Sequence, residues 1–533
     1  MYKNKDFRFK LILPCKIEYY KPYVYTSINC LPYGMGIITA FLRKHGYYVE
    51  QEDLSVRFNH YNFAFFPFIF KNIDFDIIIN RDEIHMFLKT GERRGKLSLF
   101  IDKILDSISI QGFDAIGFSI FSIFHFIFAL AFSKRIKQIT NTPIIFGGPF
   151  IRLYGQLYTH VFNYVDYMIV GDGGVPLLRL IEYMHNQIAI SEVPNLIYRD
   201  NGKLIVNPRQ HYPIEDIPMP DFDALSMKLY RNWSPKGSYI SFPYQISRGC
   251  TNRCSFCANI AVNDKLEFKS YEKVLSELSQ IKERYNNITF HFCDDAINNS
   301  YEYLEGLCDL FINNKLNINW SVYAKVGNLD KYILRKMKEA GCQWLLFGIE
   351  SGSNRILKIM NKGCTSEEAS QSLKDAHEAG IINILCLIAG YPHETKQDIN
   401  KTIDFIRKNK KYISYAQAYE FRLEYGSAIY CNPERYGVDN LIPYLSRYRF
   451  AFDESEGLKW ERKHKQQEES QKQIIKAIHK NIGFKVFISH LFTLFGLVID
   501  KIKKLCHLIK ILPFVFIIKG ILSSYLDLAV FKK

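Results

Sequence analysis

Three cysteines, Cys250, Cys254 and Cys257, fall within eight residues of a chain that has only two others, Cys15 and Cys30, ahead of them. They belong to the run Ser247–Arg248–Gly249–Cys250–Thr251–Asn252–Arg253–Cys254–Ser255–Phe256–Cys257, which succeeds an apolar segment at 239–247 that reads as a strand. Three soft thiolates spaced by three and two residues can wrap one corner of an iron–sulfur cube and leave one iron open to chelate a small molecule. Zinc, the competing reading, takes four ligands, commonly as two close pairs. No second pair lies nearby, since Cys293 and Cys308 are isolated in sequence. Gly249 gives the loop room to turn, and Phe256 can cover a cluster from water.

Beyond the loop the chain is regular. Strand patterns stand at 239–247, 288–293, 317–324, 344–349, 383–389 and 415–423, with helical patterns that include 272–284, 329–340, 367–379 and 397–408 between them. Six strand–helix repeats describe a parallel barrel, complete or open, with its active residues at the C-terminal ends of the strands. Ahead of the loop the chain also begins as strand–helix–strand: a strand at 9–13, a helix from Gly34 to Gly46, and a strand from Tyr47 to Asp53. After an aromatic, irregular stretch at 57–100 come strands at 114–119, 143–146 and 165–170. These end in Ser119, in Gly147–Gly148–Pro149 and in Gly171–Asp172–Gly173–Gly174. Small residues at the ends of parallel strands let a bulky ligand approach the backbone. The chain therefore reads as α/β throughout its first four-fifths. Residues 1–185 form a doubly wound, Rossmann-like domain, and 186–236 a linker punctuated by Pro213, Pro218 and Pro220. Residues 237–430 form a partial, TIM-like (β/α)6 barrel, and 431–533 a helical C-terminal region with a charged helix at 460–480.

The net charge of +15 points to anionic partners, or simply to lysine as the default surface residue. No helix-turn-helix or base-stacking motif supports a nucleic-acid partner. Twelve cysteines, with a polar and charged first ten residues rather than a leader, place the chain in a reducing cytoplasm with free thiols. The apolar blocks at 485–499 and 505–518 are too short and too interrupted to span a bilayer. With Lys501, Lys503, Lys504, Lys510 and Lys519 about them, the segment 485–530 suits peripheral contact with the inner face of an anionic membrane. A cap on the barrel or a partner surface is the alternative.

The C-x3-C-x2-C triplet after the first strand of a six-repeat barrel resembles the radical S-adenosylmethionine (SAM) superfamily. The resemblance implies a 4Fe–4S cluster on Cys250, Cys254 and Cys257 and chelation of SAM by its open iron. It also implies one-electron cleavage of SAM to a 5′-deoxyadenosyl radical that takes a hydrogen atom from the substrate. It places Phe256, Asp294, Asp295, Lys325, Glu350, Ser351 and Gly390 about the SAM; Phe347–Ser353 matches the family's G-I-E-S-G-S stretch. The layout of a doubly wound domain, a P-M-P-D-F-D linker and this barrel resembles the cobalamin-binding branch. That branch implies cobalamin against Pro32, Gly34, Ser119, Gly147, Gly148, Gly171, Asp172 and Gly173. The loop usually written G-E-G-E reads Gly171–Asp172–Gly173–Gly174, and the cobalt-binding D-x-H-x-x-G motif is absent. The expected activity is that of a class B methyltransferase: cobalamin-dependent methylation of an unactivated carbon in a small-molecule, lipid or peptide substrate. A reductant such as flavodoxin or ferredoxin is implied. Radical cyclisation, rearrangement or oxidation is the alternative, and a membrane-associated iron–sulfur sensor the alternative of another class. The methylthiotransferase relatives carry three further cysteines in the front domain, where this chain has two.

Overall fold

The computed structural model of the chain describes residues 7–15, 30–58, 87, 90, 96–157, 163–234, 237–259, 265–444 and 449–483. The front strands are β1 (Arg8–Leu13), β2 (Tyr48–Asp53), β3 (Ala115–Ser119), β4 (Ile144–Gly147), β5 (Tyr167–Ile169), β6 (Leu196–Asp200) and β7 (Lys203–Val206). They form one sheet in the order β2–β1–β3–β4–β5–β6–β7, and β1 to β5 are parallel. Helices cover both faces, so the strands read as near-continuous apolar runs rather than alternating ones. The helix Ile123–Lys137 is apolar and buried along most of its length, which is what a core position requires. The order 2-1-3-4-5 puts a topological switch point between β1 and β3, where the chain departs to opposite sides and leaves a crevice.

This sheet corrects the expectation of a plain linker over 186–236. Within that stretch β6 and β7 form an antiparallel hairpin that adds two strands beyond β5. The cause is local. Asn201 (φ 46°) and Gly202 (φ 78°) both adopt positive φ, the signature of a two-residue type I′ turn, and Leu196, Ile197 and Tyr198 are buried beside β5. The Pro-rich remainder packs on the front domain. Arg43 donates to Asp221 at 2.9 Å, Gln51 Nε2 donates to the Asp221 carbonyl at 2.9 Å, and Phe222 meets Phe242 edge-on at 5.3 Å. Phe222 thus bridges the two sheets, whose apolar residues form one continuous core from Phe9 to Phe292.

The second sheet contains β8 (Arg231–Ser234), β9 (Gly237–Tyr244), β12 (Ile288–Phe292), β13 (Trp320–Ala324), β14 (Cys342–Glu350), β15 (Ile382–Ala389) and β16 (Tyr415–Glu420). Its order is β16–β15–β14–β13–β12–β9–β8, with β9 to β16 parallel and β8 antiparallel at the edge. β16 and β9 do not pair, so the barrel is open. The pair β10 (Ser247–Arg248) and β11 (Glu267–Phe268) stands above β9. The crossover helices begin on side-chain caps: Ser270, Ser300, Asp330, Thr365 and Thr395, the last two closing capping boxes with Glu368 and Asp398. Beyond the barrel lie a hairpin of β17 (Val438–Tyr444) and β18 (Arg449–Glu454) and then a helix at 460–483, where the charged segment predicts one. That helix covers the open edge: Gln471 Nε2 donates to the Ala418 carbonyl of β16 at 2.9 Å. Among the described residues no helix is long and apolar enough to cross a membrane. The blocks at 485–499 and 505–518 lie outside the described residues.

Candidate functional site

The cysteine loop is pinned at the mouth of the open barrel. Gly249 adopts φ +93°, and a β-carbon there would collide with the Lys265 carbonyl oxygen, so only glycine lets the loop turn. Asn299 reads the turn from both sides: Oδ1 accepts from Thr251 N at 3.2 Å and Nδ2 donates to the Gly249 carbonyl at 3.0 Å. The far side rests on the turn after β14, through Ser255 N to the Met360 carbonyl (2.8 Å) and Asn252 Nδ2 to the Lys362 carbonyl (3.0 Å). Cys254 is buried, and Cys250 and Cys257 are partly exposed. Burial pushes the Cys257 thiol up to about 11, and the charges of Cys254, Asp295 and Cys250 add to it. Burial also raises the Cys254 thiol, against the pull of Lys362. The thiols therefore feel one another's charge.

The residues expected around the SAM divide into two sets. Phe256, Asp295, Lys325 and Glu350 surround the cysteines. The Lys325 ammonium reaches Thr251 Oγ1, and the charges of Cys250 and Cys254 bear on it. Asp295 accepts from Gly249 N at 3.0 Å and Asn259 Nδ2 at 2.6 Å. Glu350 ends β14 at a register shift, with φ +67°, and accepts from the Lys362 ammonium at 3.0 Å. A non-glycine residue held in that conformation at a strand end is a strained, over-determined position of the kind that clusters at functional sites. The second set has other contacts. Asp294 is fully engaged beneath the loop, accepting from Ser247 N and from Ser247 Oγ (2.5 Å), and burial pushes its carboxyl up to about 7. Ser351 is buried behind the strand end and bonds Thr402 Oγ1 at 3.2 Å and Ser353 N at 3.1 Å. Gly390 (φ +79°) is covered by Gln467, whose Nε2 donates to the Gly390 carbonyl at 3.0 Å. Lys362 carries no signal in the sequence: it stands in a turn after a short helix, and its partner is twelve residues away.

The strand ends of the first sheet form the other half of the site. Gly34 lies beside Ser119, with a β-carbon position 3.8 Å from its Oγ, and above Gly147 there is open space. Pro32 leads the chain into the helix Tyr33–Lys44. Gly148 (φ +99°), Gly171 and Gly173 are close-packing positions instead, hard against the Ile120 backbone, the Asn195 side chain and Ile38. Asp172 turns outward and accepts from Arg248 at 2.8 Å, with Arg152 at 3.6 Å. Open glycine-lined floor at a switch point is the cradle a large planar cofactor needs.

Residues 244–406 match the radical SAM superfamily model. These residues are a radical SAM domain. An uncharacterised methyltransferase of Pyrococcus horikoshii is 28% identical over 294 residues, covering 54% of this chain and 62% of the relative. Among solved structures, the cobalamin-dependent SAM radical enzyme OxsB aligns with a TM-score of 0.60 at 17% identity, over 84% of this chain and 64% of that one. The radical SAM methyltransferase TsrM from Kitasatospora setae aligns with a TM-score of 0.56 at 16% identity, over 79% and 74%. These two likenesses extend the shared fold well beyond the radical SAM domain into the front sheet. The chain spans about three-fifths of the length of the Pyrococcus relative.

The radical SAM domain meets the front domain through its own cysteine loop. Arg248, two residues before Cys250, is buried and tied to Asp172. On the other flank, Tyr154 of the front helix Pro149–Tyr154 donates to Glu424, in the loop after β16, and Tyr425 lies 6.3 Å from the Tyr154 ring. Burial pushes the Glu424 carboxyl up to about 7. The Ser427 end of that loop returns to the cysteines through Ile429 N and the Ser255 carbonyl, at 3.0 Å.

Proposed function

We propose that the chain is a cobalamin-dependent radical SAM methyltransferase acting on an unactivated carbon of a small molecule. One observation carries this reading: the glycine-lined strand ends of the front sheet and the cysteine loop of the barrel meet through Asp172 and Arg248, so the two candidate cofactor sites face the same seam. The cofactors named for OxsB and TsrM, cobalamin with SAM and a [4Fe–4S] cluster, fit those two sites. When bound, the cluster would supply the electron that splits SAM into methionine and a 5′-deoxyadenosyl radical, and cobalamin would carry the methyl group that takes the place of the abstracted hydrogen.

The chain's residues do the holding. Cys250, Cys254 and Cys257 would hold the cluster, and Asn299 and Asp294 fix the loop that presents them. Asp295 offers a carboxylate to the methionine amine, and the Lys362 ammonium an opposite charge to its carboxylate. Glu350 gives one oxygen to Lys362 and keeps the second for a ribose hydroxyl, and Phe256 screens the cluster from water. Gly34, Ser119 and Gly147 leave room for the corrin, while Gly148, Gly171 and Gly173 shape the backbone around it. Electrons come from a separate reductant.

The test is anaerobic reconstitution with iron, sulfide and hydroxocobalamin, followed by desalting and metal analysis. About four irons per chain are expected, lost when the three cysteines are changed to alanine, with near-stoichiometric cobalt kept in both proteins. Iron without cobalt overturns cobalamin-dependent methylation and leaves radical rearrangement or oxidation. Neither metal overturns the whole reading.

A further inference from the structure

The six parallel strands of the barrel contain no lysine, arginine or aspartate, and their only acids, Glu350 and Glu420, are each the last residue of a strand. Glu350 is already matched by Lys362. On the described strands charge is thus confined to the mouth, and no strand residue below it carries any. The inside of the barrel is also aromatic. Tyr239 of β9 and Trp344 of β14 are separated in the sheet by β12 and β13, yet their rings meet edge-on at 6.3 Å, closing the base of the hollow. Above them, His291 lies 6.0 Å from the Tyr323 ring and pairs through Nδ1 with Ser321 Oγ at 3.0 Å.

Tyr323 is 40% exposed and Tyr419 55%, although they stand within a central and an edge strand of the sheet. At Tyr323, walled by neighbouring strands on both sides, such exposure marks a hollow rather than an outer surface, and Tyr419 on the edge strand is near enough to act on its phenol. Along β15 the same alternation appears: Leu385 and Leu387 are buried against the helices, while Ile384, Cys386 and Ile388 are partly open on the inner side. Among the described residues, the polar groups shown to face this space are His291, Ser321 and Tyr323. Burial lowers the His291 imidazole below its ordinary value and raises the Tyr323 phenol, so both are neutral at neutral pH.

We propose that this hollow receives an uncharged, ring-bearing part of the substrate, stacked against Tyr323 and Tyr419, and excludes phosphate- or carboxylate-bearing groups from its interior. The assignment rests on the radical SAM reading above, which makes the hollow the place where hydrogen is abstracted, and it adds the substrate's chemical class. An anion drawn below Glu350 would lose its water with no cation on the described strands to replace it. A neutral ring loses little hydration and gains contacts with each aromatic ring it meets.

The experiment uses the reconstituted full-length protein and three probes of one ring size, p-cresol, benzoate and benzylammonium, titrated by ligand-observed NMR. The wild type is expected to bind p-cresol at least tenfold more tightly than either ion. Tyr419→Lys, at a position exposed enough to tolerate the charge, should shift the preference at least tenfold towards benzoate, and Tyr323→Ala should weaken p-cresol at least fivefold. Absence of p-cresol binding, an ion bound as tightly as p-cresol by the wild type, or p-cresol binding unchanged in both variants would overturn the proposal. Iron is counted on the same samples: a protein that keeps the preference without assembling a cluster refutes the chemistry above and not the character of the hollow.

Discussion

Glu350, the last residue of β14, and Glu424, in the loop after β16, are both enclosed carboxyls, and they differ in their partners. Glu350 has the Lys362 ammonium at 3.0 Å, whereas Glu424 is met by a phenol, Tyr154, and burial pushes it up to about 7. A carboxyl whose pKa is higher in the folded than in the unfolded chain keeps its proton on folding between the ordinary value near 4.5 and about 7. Its contribution to stability is therefore complete below pH 4.5 and is lost as pH rises through 7. The loss is about 1.4 kcal/mol for each pH unit that separates the two values. Glu424→Gln should remove this part of the pH dependence, so that the denaturant midpoint falls less between about pH 5 and about pH 7.5 than in the wild type. An identical fall in both proteins would show that Glu424 is ionised throughout. Asp294 and Glu394, also pushed up to about 7 by burial, keep the remainder of the slope. At this scale the sequence is legible where the chemistry is unusual, as in the cysteine triplet. It is silent where the chemistry is ordinary: Lys362 looks like any surface lysine until the fold buries it beside Cys254.

Elements are easier to read than side chains, because burial on both faces of a parallel strand leaves an apolar run that few other structures produce. The barrel strands lie within about three residues of their expected limits for that reason. The hairpin β6–β7 departs from expectation although Asp200–Asn201–Gly202 is a strong turn signal; three nearby prolines draw the whole stretch towards linker. Gly390 shows the converse, a glycine whose place near the SAM is expected and whose observed contact is with a helix. Its φ of +79° matches that of Gly202 at +78°, but a β-carbon at Gly390 would lie 2.8 Å from the Gln467 Cα, whereas nothing stands within 4 Å at Gly202. Alanine carries the same backbone strain at both sites, of order 1 kcal/mol. Gly390→Ala should therefore destabilise the protein by more than Gly202→Ala, and the excess measures the packing of the 460–483 helix on the barrel edge. Equal losses of melting temperature in the two variants would mean that the helix moves aside at no cost, and would remove it as a fixed wall of the site.

At the scale of the molecule, the seam between the two sheets joins the cysteine loop to the front strand ends, and its centre is a carboxylate between two arginines. Asp172 holds Arg248 at 2.8 Å and Arg152 at 3.6 Å. Burial lowers the Arg152 guanidinium, Asp172 opposes that, and Arg248 acts in the same sense as burial. With Asp172 removed, Arg152 and Arg248 keep their mutual repulsion and lose the carboxylate that both engage, with Asp295 still opposing it at Arg152, which is costlier than the loss of the ion pair alone. Because Arg248 is on the strand that delivers Cys250, the disturbance should cross the seam. Asp172→Asn is expected to raise hydrogen exchange both at 170–174 and at 246–257, and Arg152→Met in the same chain should restore much of the protection by relieving the repulsion. Hydrogen exchange followed by mass spectrometry on the cofactor-free protein reads both segments at once, independently of turnover. Faster exchange confined to 170–174 would mean that the cysteine loop is held by the barrel alone, through Asn299, Asp294 and the Met360–Lys362 turn, and that the front domain is docked on a finished loop instead of helping to fix it.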